Sequence, residues 1–209
     1  MKLNLTLRLA LLTTPVFLLA ACQTPGVKNP SGTPVTEMKA DERGFVTGTG
    51  IESQDLVAVT EKMARGILGN PVIAGASVTP RVVLEPVKNE TRFPINKDIF
   101  LTRIRTQLNS KAAGKVIFLA RENFDALQRE RELKRSGQVT STADPNVQEF
   151  KGADYFLTGK LQGLTTRATA GVSDYVLYSF QLINARTSEI VWEDASEIKK
   201  QGLEDATYR

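Results

Sequence analysis

The apolar positions of the chain fall into three regimes. From Leu9 to Leu19 they run almost without interruption. From Gln23 to about Arg43 they are scattered among Pro, Gly, Ser and Thr. From Ser53 onward they recur with the periods of helices and strands. The third regime predicts the folded part, and its elements can be read in order. Ser53 caps a helix over 54–68, with Leu56, Val59, Met63 and Ile67 on one face and Gly69-Asn70-Pro71 as its stop. Val72 to Pro80 reads as irregular. Residues 81–87 form a β-rich run, and Pro86 must lie at its end or on an unpaired side because it cannot donate to a ladder. Residues 88–94 read as a polar loop. Asn96 then caps an amphipathic helix to about Ala113, with Ile99, Phe100, Ile104 and Leu108 inward and Gly114 behind it.

Residues 115–119 are a short, nearly continuous apolar run, the pattern of a strand covered on both faces. Residues 122–134 predict a charged helix with Phe124 and Leu127 as its seam and alternating charges on a solvated side. A polar loop follows from Gly137 to Asn146, with a short helix over 146–151. The last third is sheet: strands over 154–161, 174–183 and 189–193. In the second of these, Val176, Tyr178, Phe180 and Leu182 share one face, and Tyr175, Leu177, Ser179 and Gln181 share the other. Ile190 and Trp192 alternate inward in the third. The short links at Ala170-Gly171 and Arg186-Thr187-Ser188 make these three strands an antiparallel meander. The earlier strand–helix–strand crossover should be parallel. The predicted fold class is therefore α+β: a mixed sheet of four to five strands flanked by helices.

The first two regimes change what kind of protein this is. Lys2 and Arg8, the apolar run, Ala20-Ala21 and then Cys22 make a basic segment, a hydrophobic segment and a small-residue cleavage site. The hydrophobic segment falls short of the ~20 residues that span a bilayer, and Thr13, Thr14 and Pro15 interrupt it. Cys22 is the only cysteine. Leu19-Ala20-Ala21-Cys22 resembles the lipobox of bacterial lipoproteins, which implies cleavage before Cys22, a lipid on its sulfur and acylation of the new amine. A plain secretory signal with a stray thiol is the alternative, but an unpaired thiol is a liability in an oxidising compartment. Gln23 stands where aspartate tends to retain such lipoproteins in the inner membrane, so the resemblance implies the outer membrane, periplasmic side. Residues 1–21 are thus expected as signal peptide, 22–53 as lipidated flexible tether and 54–209 as globular domain. The tether is too poor in apolar residues to offset the entropy of ordering. Fully extended, it reaches about 100–110 Å, and as a coil about 30 Å.

Composition then narrows the function. The formal charge is +4. Without Lys2 and Arg8 the chain carries 25 basic and 23 acidic residues, a net of +2, with no basic stripe of the kind that binds nucleic acid. There is no histidine. The commonest general acid–base residue is missing, and any metal site would need oxygen ligands. Glu85, Asp98 and Asp154 are the acids nearest element ends, but no carboxylate pair, nucleophile elbow or phosphate loop accompanies them. No catalytic residue, cofactor or metal is expected beyond the covalent lipid on Cys22.

An ordered set of segments carries a further resemblance. It comprises Arg81-Val82-Val83, Pro86 to Thr91, Thr102 to Thr106, Gly114-Lys115-Val116, Arg121-Glu122, Gly152 to Gly159, and Ile190-Val191-Trp192 with Lys199. Together with the lipobox, these resemble the LpoB family of outer-membrane lipoproteins over about 81–200. The resemblance implies a fold similar to the N-terminal domain of TolB and no enzymatic activity. It implies a partner: a bifunctional (class A) penicillin-binding protein, reached through the peptidoglycan and allosterically activated, so that peptidoglycan synthesis is regulated. The tether is shorter than expected of enterobacterial members. A second class, a secretion-associated lipoprotein like CsgG, would need extra amphipathic hairpins of about 9–11 residues per strand, and none is evident.

For the docking surface, the loop Asn89-Glu90-Thr91-Arg92-Phe93 offers donors, a charge and an aromatic, the residue types that favour binding hot spots. Asn89, Thr91, Arg92 and Phe93 are therefore candidates, although for Asn89 and Thr91 a purely structural turn between residue 87 and the helix is the plainer role. Tyr175 is a fifth candidate, on the outward phase of its strand, where packing is the plainer role. Trp192 reads as core, and Arg121-Glu122 as helix-start electrostatics.

Overall fold

The computed structural model describes residues 37–44, 46–139 and 150–203. The expected signal peptide, Cys22, most of the tether, Phe45 and most of the 137–151 loop and helix lie outside these residues. In order, the elements are α1 (Ser53–Gly69), α2 (Pro71–Ala74), β1 (Arg81–Leu84), β2 (Lys88–Glu90), α3 (Asp98–Lys111), β3 (Ile117–Phe118), a 3₁₀ turn (Arg121–Asn123), α4 (Phe124–Arg135), β4 (Tyr155–Ala168), β5 (Gly171–Asn184) and β6 (Ile190–Gly202).

The sheet is mixed and the class is α+β. The strand order is β3-β1-β4-β5-β6, with β2 also paired to β4. β1 runs parallel to β3 and β4, while β4, β5 and β6 form the antiparallel meander. Among the described residues the sheet has six strands, because the expected polar loop at 88–94 contains β2. β1 and β2 are one strand with an interruption. Leu84 pairs with Leu157 and Lys88 with Lys160, so four steps along one chain oppose three along the other. The extra residue sits at Glu85-Pro86-Val87, where Pro86 has no ladder bond to donate; this is a bulge.

The three long strands outrun their predicted lengths. β4 and β5 pair without a break from Tyr155↔Asn184 to Ala168↔Gly171. Beyond Leu161 the β4 residues are mostly polar and exposed, so no alternation marked the extension. In β6 the register slips by one residue between Leu182↔Trp192 and Ile183↔Ile190. Val191 is the residue skipped, and the slip turns Ile190 to the far face, where it is exposed. Trp192 is half-buried instead of fully buried, lying against Gly66.

The helical assignments need smaller corrections. Glu52, not Ser53, caps α1, in a reciprocal box with Asp55. Lys97, not Asn96, is the cap residue of α3; Asn96 stands one position earlier, and its side chain accepts the Asp98 N–H at 3.2 Å. Ile99 is 48% exposed and Leu101 is 4% exposed. At 100° per residue the buried arc of α3 runs through Phe100, Ile104, Leu108 and Leu101, and Ile99 falls outside it. β3 is a two-residue edge strand with Ile117 exposed, so it is not covered on both faces.

Helices α1 and α3 pack on one face of the sheet. Val59, Met63 and Ile67 of α1 and Phe100, Ile104 and Leu108 of α3 meet Val82, Leu157, Leu161, Val176, Tyr178, Phe180 and Leu182. The Phe100 ring lies 5.7 Å from Tyr178 and 6.3 Å from Phe180. A Cβ on Gly159 would meet the Phe180 ring at 2.5 Å, so the glycine makes room for that ring. The opposite face of β5, from Tyr175 to Ile183, has no fully buried side chain. Helix α4 has none either; Phe124 stacks on Phe150 at 4.9 Å, and Arg131 lies 4.0 Å over the same ring.

Candidate functional site

The 89–93 loop is built from its own side chains. Asn89 Oδ1 accepts the Thr91 N–H at 3.0 Å and the Thr91 hydroxyl at 2.7 Å, while Asn89 Nδ2 donates to the Phe93 carbonyl at 2.8 Å. Thr91 Oγ1 in turn accepts the Phe93 N–H at 3.2 Å. These bonds mimic a backbone turn. Register explains the rest: Asn89 pairs with Leu161, whose side chain is in the core, so Asn89 lies on the helix side of the sheet. Phe93 is 2% exposed and belongs to the core, so the expected exposed aromatic at 93 is instead an anchor.

Arg92 is the centre of a cluster. Its Nη2 donates to Asp174 Oδ2 at 2.6 Å and its Nε to Asp174 Oδ1 at 3.0 Å, a two-pronged ion pair. The hydroxyls of Thr165 and Thr49 each donate to Asp174 at 2.5 Å. Asp174 is 1% exposed. Burial pushes its carboxyl up, but the bonds from Arg92, Thr165 and Thr49 and the Arg92 charge outweigh burial and hold the pKa down at about 2. In register with Asp174 stands Lys200. Its ammonium bonds Asp55 at 2.6 Å, the Gly50 carbonyl at 2.9 Å and Glu52 at 3.3 Å. The two groups together fasten residues 48–52 to the far ends of β5 and β6.

Sequence reasoning missed Thr49, Asp55, Thr165, Asp174 and Lys200. One signal was available: Asp174 occupies the inward phase set by Val176, Tyr178 and Phe180, where an acid requires partners.

Tyr175 is on the other side of the sheet from this cluster. It is half-exposed, opposite the exposed Leu164 in register, with Leu177 two residues along. Its phenol is held above the ordinary value, first by lost hydration and then by the charge and hydrogen bond of Glu197. The five candidate residues thus divide between two faces. Arg121 donates to the Lys151 carbonyl at 2.7 Å and Glu122 pairs with Arg105 at 2.8 Å, both structural links. Among the described residues, no three His, Cys, Asp or Glu side chains gather to hold a metal ion, and no helix is long and apolar enough to cross a membrane.

Comparison with known proteins adds a family. The family model described as peptidoglycan-synthase activator LpoB matches residues 55–198. No curated protein sequence matches the chain. Among solved structures, the LpoB C-terminal domain from Escherichia coli is similar at 18% identity and a TM-score of 0.39, covering 69% of this chain and 98% of that one. The LpoB C-terminal domain from Salmonella enterica is similar at 14% identity and a TM-score of 0.39, covering 68% and 94%. Lipoprotein GNA1162 from Neisseria meningitidis is similar at 12% identity and a TM-score of 0.38, covering 61% and 88%.

Proposed function

The chain belongs to the peptidoglycan-synthase activator LpoB family, and from that premise we propose that it is a non-catalytic, lipid-anchored activator of a bifunctional penicillin-binding protein. The observation that carries the reading is the extent of the match: residues 55–198 run from the first turn of α1 into the second half of β6, so the likeness spans the folded unit and not one motif. In this reading the lipid sits on Cys22 and holds the protein at the outer membrane, facing the periplasm. Two or three acyl chains anchor far more firmly than one, at roughly 0.8 kcal/mol per buried CH₂.

Activation is a matter of differential affinity. An activator shifts its partner only as far as it binds the active state more tightly than the inactive one. The tether adds a distance dependence, since docking becomes costly where the gap exceeds its relaxed reach. The docking patch in this reading lies on the open side of the sheet, at Tyr175 with Leu164 and Leu177. Asn89 and Thr91 have their side chains engaged in the turn, Phe93 is in the core, and Arg92 offers only the exposed part of a guanidinium already paired with Asp174. The export-pore alternative is not favoured by the family match.

The test is reconstitution. Full-length chain in detergent is mixed with a purified class A penicillin-binding protein, and glycan polymerisation is followed. The expected result is capture of the synthase and faster polymerisation, with Tyr175→Ala weakening capture by about tenfold. Neither capture nor a change in rate with any class A enzyme of the same cell would refute the proposal.

A further inference from the structure

A cleft of about 510 Å³ opens at the end of the sheet where β1 and β4 begin and β5 ends, roofed by the segment after α2. Its size is that of a small-molecule site. Its acceptors are largely committed to the backbone. Asp154 Oδ2 accepts the Arg81 N–H at 2.8 Å. Asn184 Oδ1 accepts the N–H groups of Arg186 at 2.9 Å and Thr187 at 3.2 Å.

The donors are a different matter. Arg81 and Arg186 both line the cleft, and neither guanidinium has a hydrogen-bond or ion-pair partner among the described residues. The partly buried arginines Arg92, Arg103, Arg105 and Arg121 each donate to a protein oxygen, whereas Arg81 and Arg186, like the surface arginines Arg129 and Arg167, are unpaired among the described residues; what sets them apart is the cleft they border together. Two residues that carry planar, permanently charged groups therefore border one small volume, and the only acid in its lining is Asp154. Beside them, Val72 is 40% and Val78 70% exposed, so the rim is apolar.

We infer that this cleft binds a small carboxylate of the amino-acid or peptide-terminus type, through Arg81 and Arg186, with an apolar substituent on Val72 and Val78. The arginine fork matches a carboxylate's two oxygens. The two arginines and Asp154 sum to a single positive charge, which suits one carboxylate; a dianionic phosphate would meet the repulsion of Asp154. The Asp154 oxygen that the Arg81 N–H does not use stands ready for a ligand ammonium. The inference does not depend on the identity of any synthase, because it concerns a different end of the sheet from Tyr175.

The experiment titrates ¹⁵N-labelled full-length chain in detergent with three probes: alanyl-alanine, its C-terminal amide and inorganic phosphate. The dipeptide is expected to shift the Nε–H signals of Arg81 and Arg186 and the amides of 153–155 saturably, and the amide probe to leave them in place. The double substitution Arg81→Gln, Arg186→Gln is expected to weaken dipeptide binding at least about tenfold. Both arginines make their structural bonds through backbone atoms, so the melting temperature should hold. If the double variant does not fold, Arg186→Gln alone, on an exposed turn, carries the test with the same direction. Equal response to acid and amide, undiminished binding by the variant, or preferential saturation by phosphate would each overturn the inference.

Discussion

Asp174 lies in an inward position of a strand whose other inward residues are apolar. An unpaired carboxylate there would cost several kcal/mol. Arg92, Thr165 and Thr49 make it tenable, and the same contacts make it a source of pH dependence. Its folded pKa of about 2 lies below the ~3.9 of an unfolded aspartate. The stabilisation is therefore complete above about pH 4 and is lost as pH falls toward 2; it amounts to about 2 kcal/mol. Urea unfolding measured from pH 7 to pH 2 should show a loss larger by that amount in the wild type than in Asp174→Asn, which keeps the acid-sensitive Glu122–Arg105 pair. The variant should be less stable at neutral pH, since Arg92 loses its carboxylate. From the chain alone the phase of Asp174 was readable but its partners were not: Thr49 and Arg92 lie 125 and 82 residues away. Gly159 is similar. A glycine in a strand signals close approach, but only the fold shows that Phe180 is what approaches. Gly159→Ala should cost about 1–3 kcal/mol by crowding that ring, visible as a lowered melting temperature.

Among the elements, those with a strong period were legible and those held by register were not. The alternation of Val176, Tyr178, Phe180 and Leu182 placed β5 correctly, and the arc of Phe100, Ile104 and Leu108 placed α3. The outer part of β4 was invisible because Thr165, Thr166 and Arg167 are chosen by pairing with β5, not by burial. β2 was invisible because Lys-Asn-Glu looks like loop, and only its ladder with β4 makes it a strand. The contrast between α3 and α4 makes a prediction. Phe100 is fully buried, so Phe100→Ala should cost about 3–5 kcal/mol. Leu127 on α4 is 44% exposed, so Leu127→Ala should cost less than about 1 kcal/mol. By the same reasoning, backbone amides of α4 should exchange with deuterium well before those of β5.

For the molecule as a whole, the lipid and the tether belong to the proposed function, and a direct measurement addresses them. Labelled palmitate should enter the wild type and not Cys22→Ser, and the variant should be lost from the outer-membrane fraction. Thr49 and Gly50, inside the span expected as tether, bond Asp174 and Lys200 a little before α1. That grip joins residues 49–55 to β6 near its end through Lys200 and to β5 near its start through Asp174, two residues opposite each other in register. The arrangement has a mechanical consequence. In the proposed reading, a pull along the tether would load Asp174 and Lys200, and through them β5 and β6, as well as the start of helix α1. Lys200→Ala should therefore lower the force at which the domain first yields in a single-molecule pulling experiment. Were the proposed anchor to pull from one side and a partner from the other, Lys200 and Asp174 would be the first latches to feel the strain.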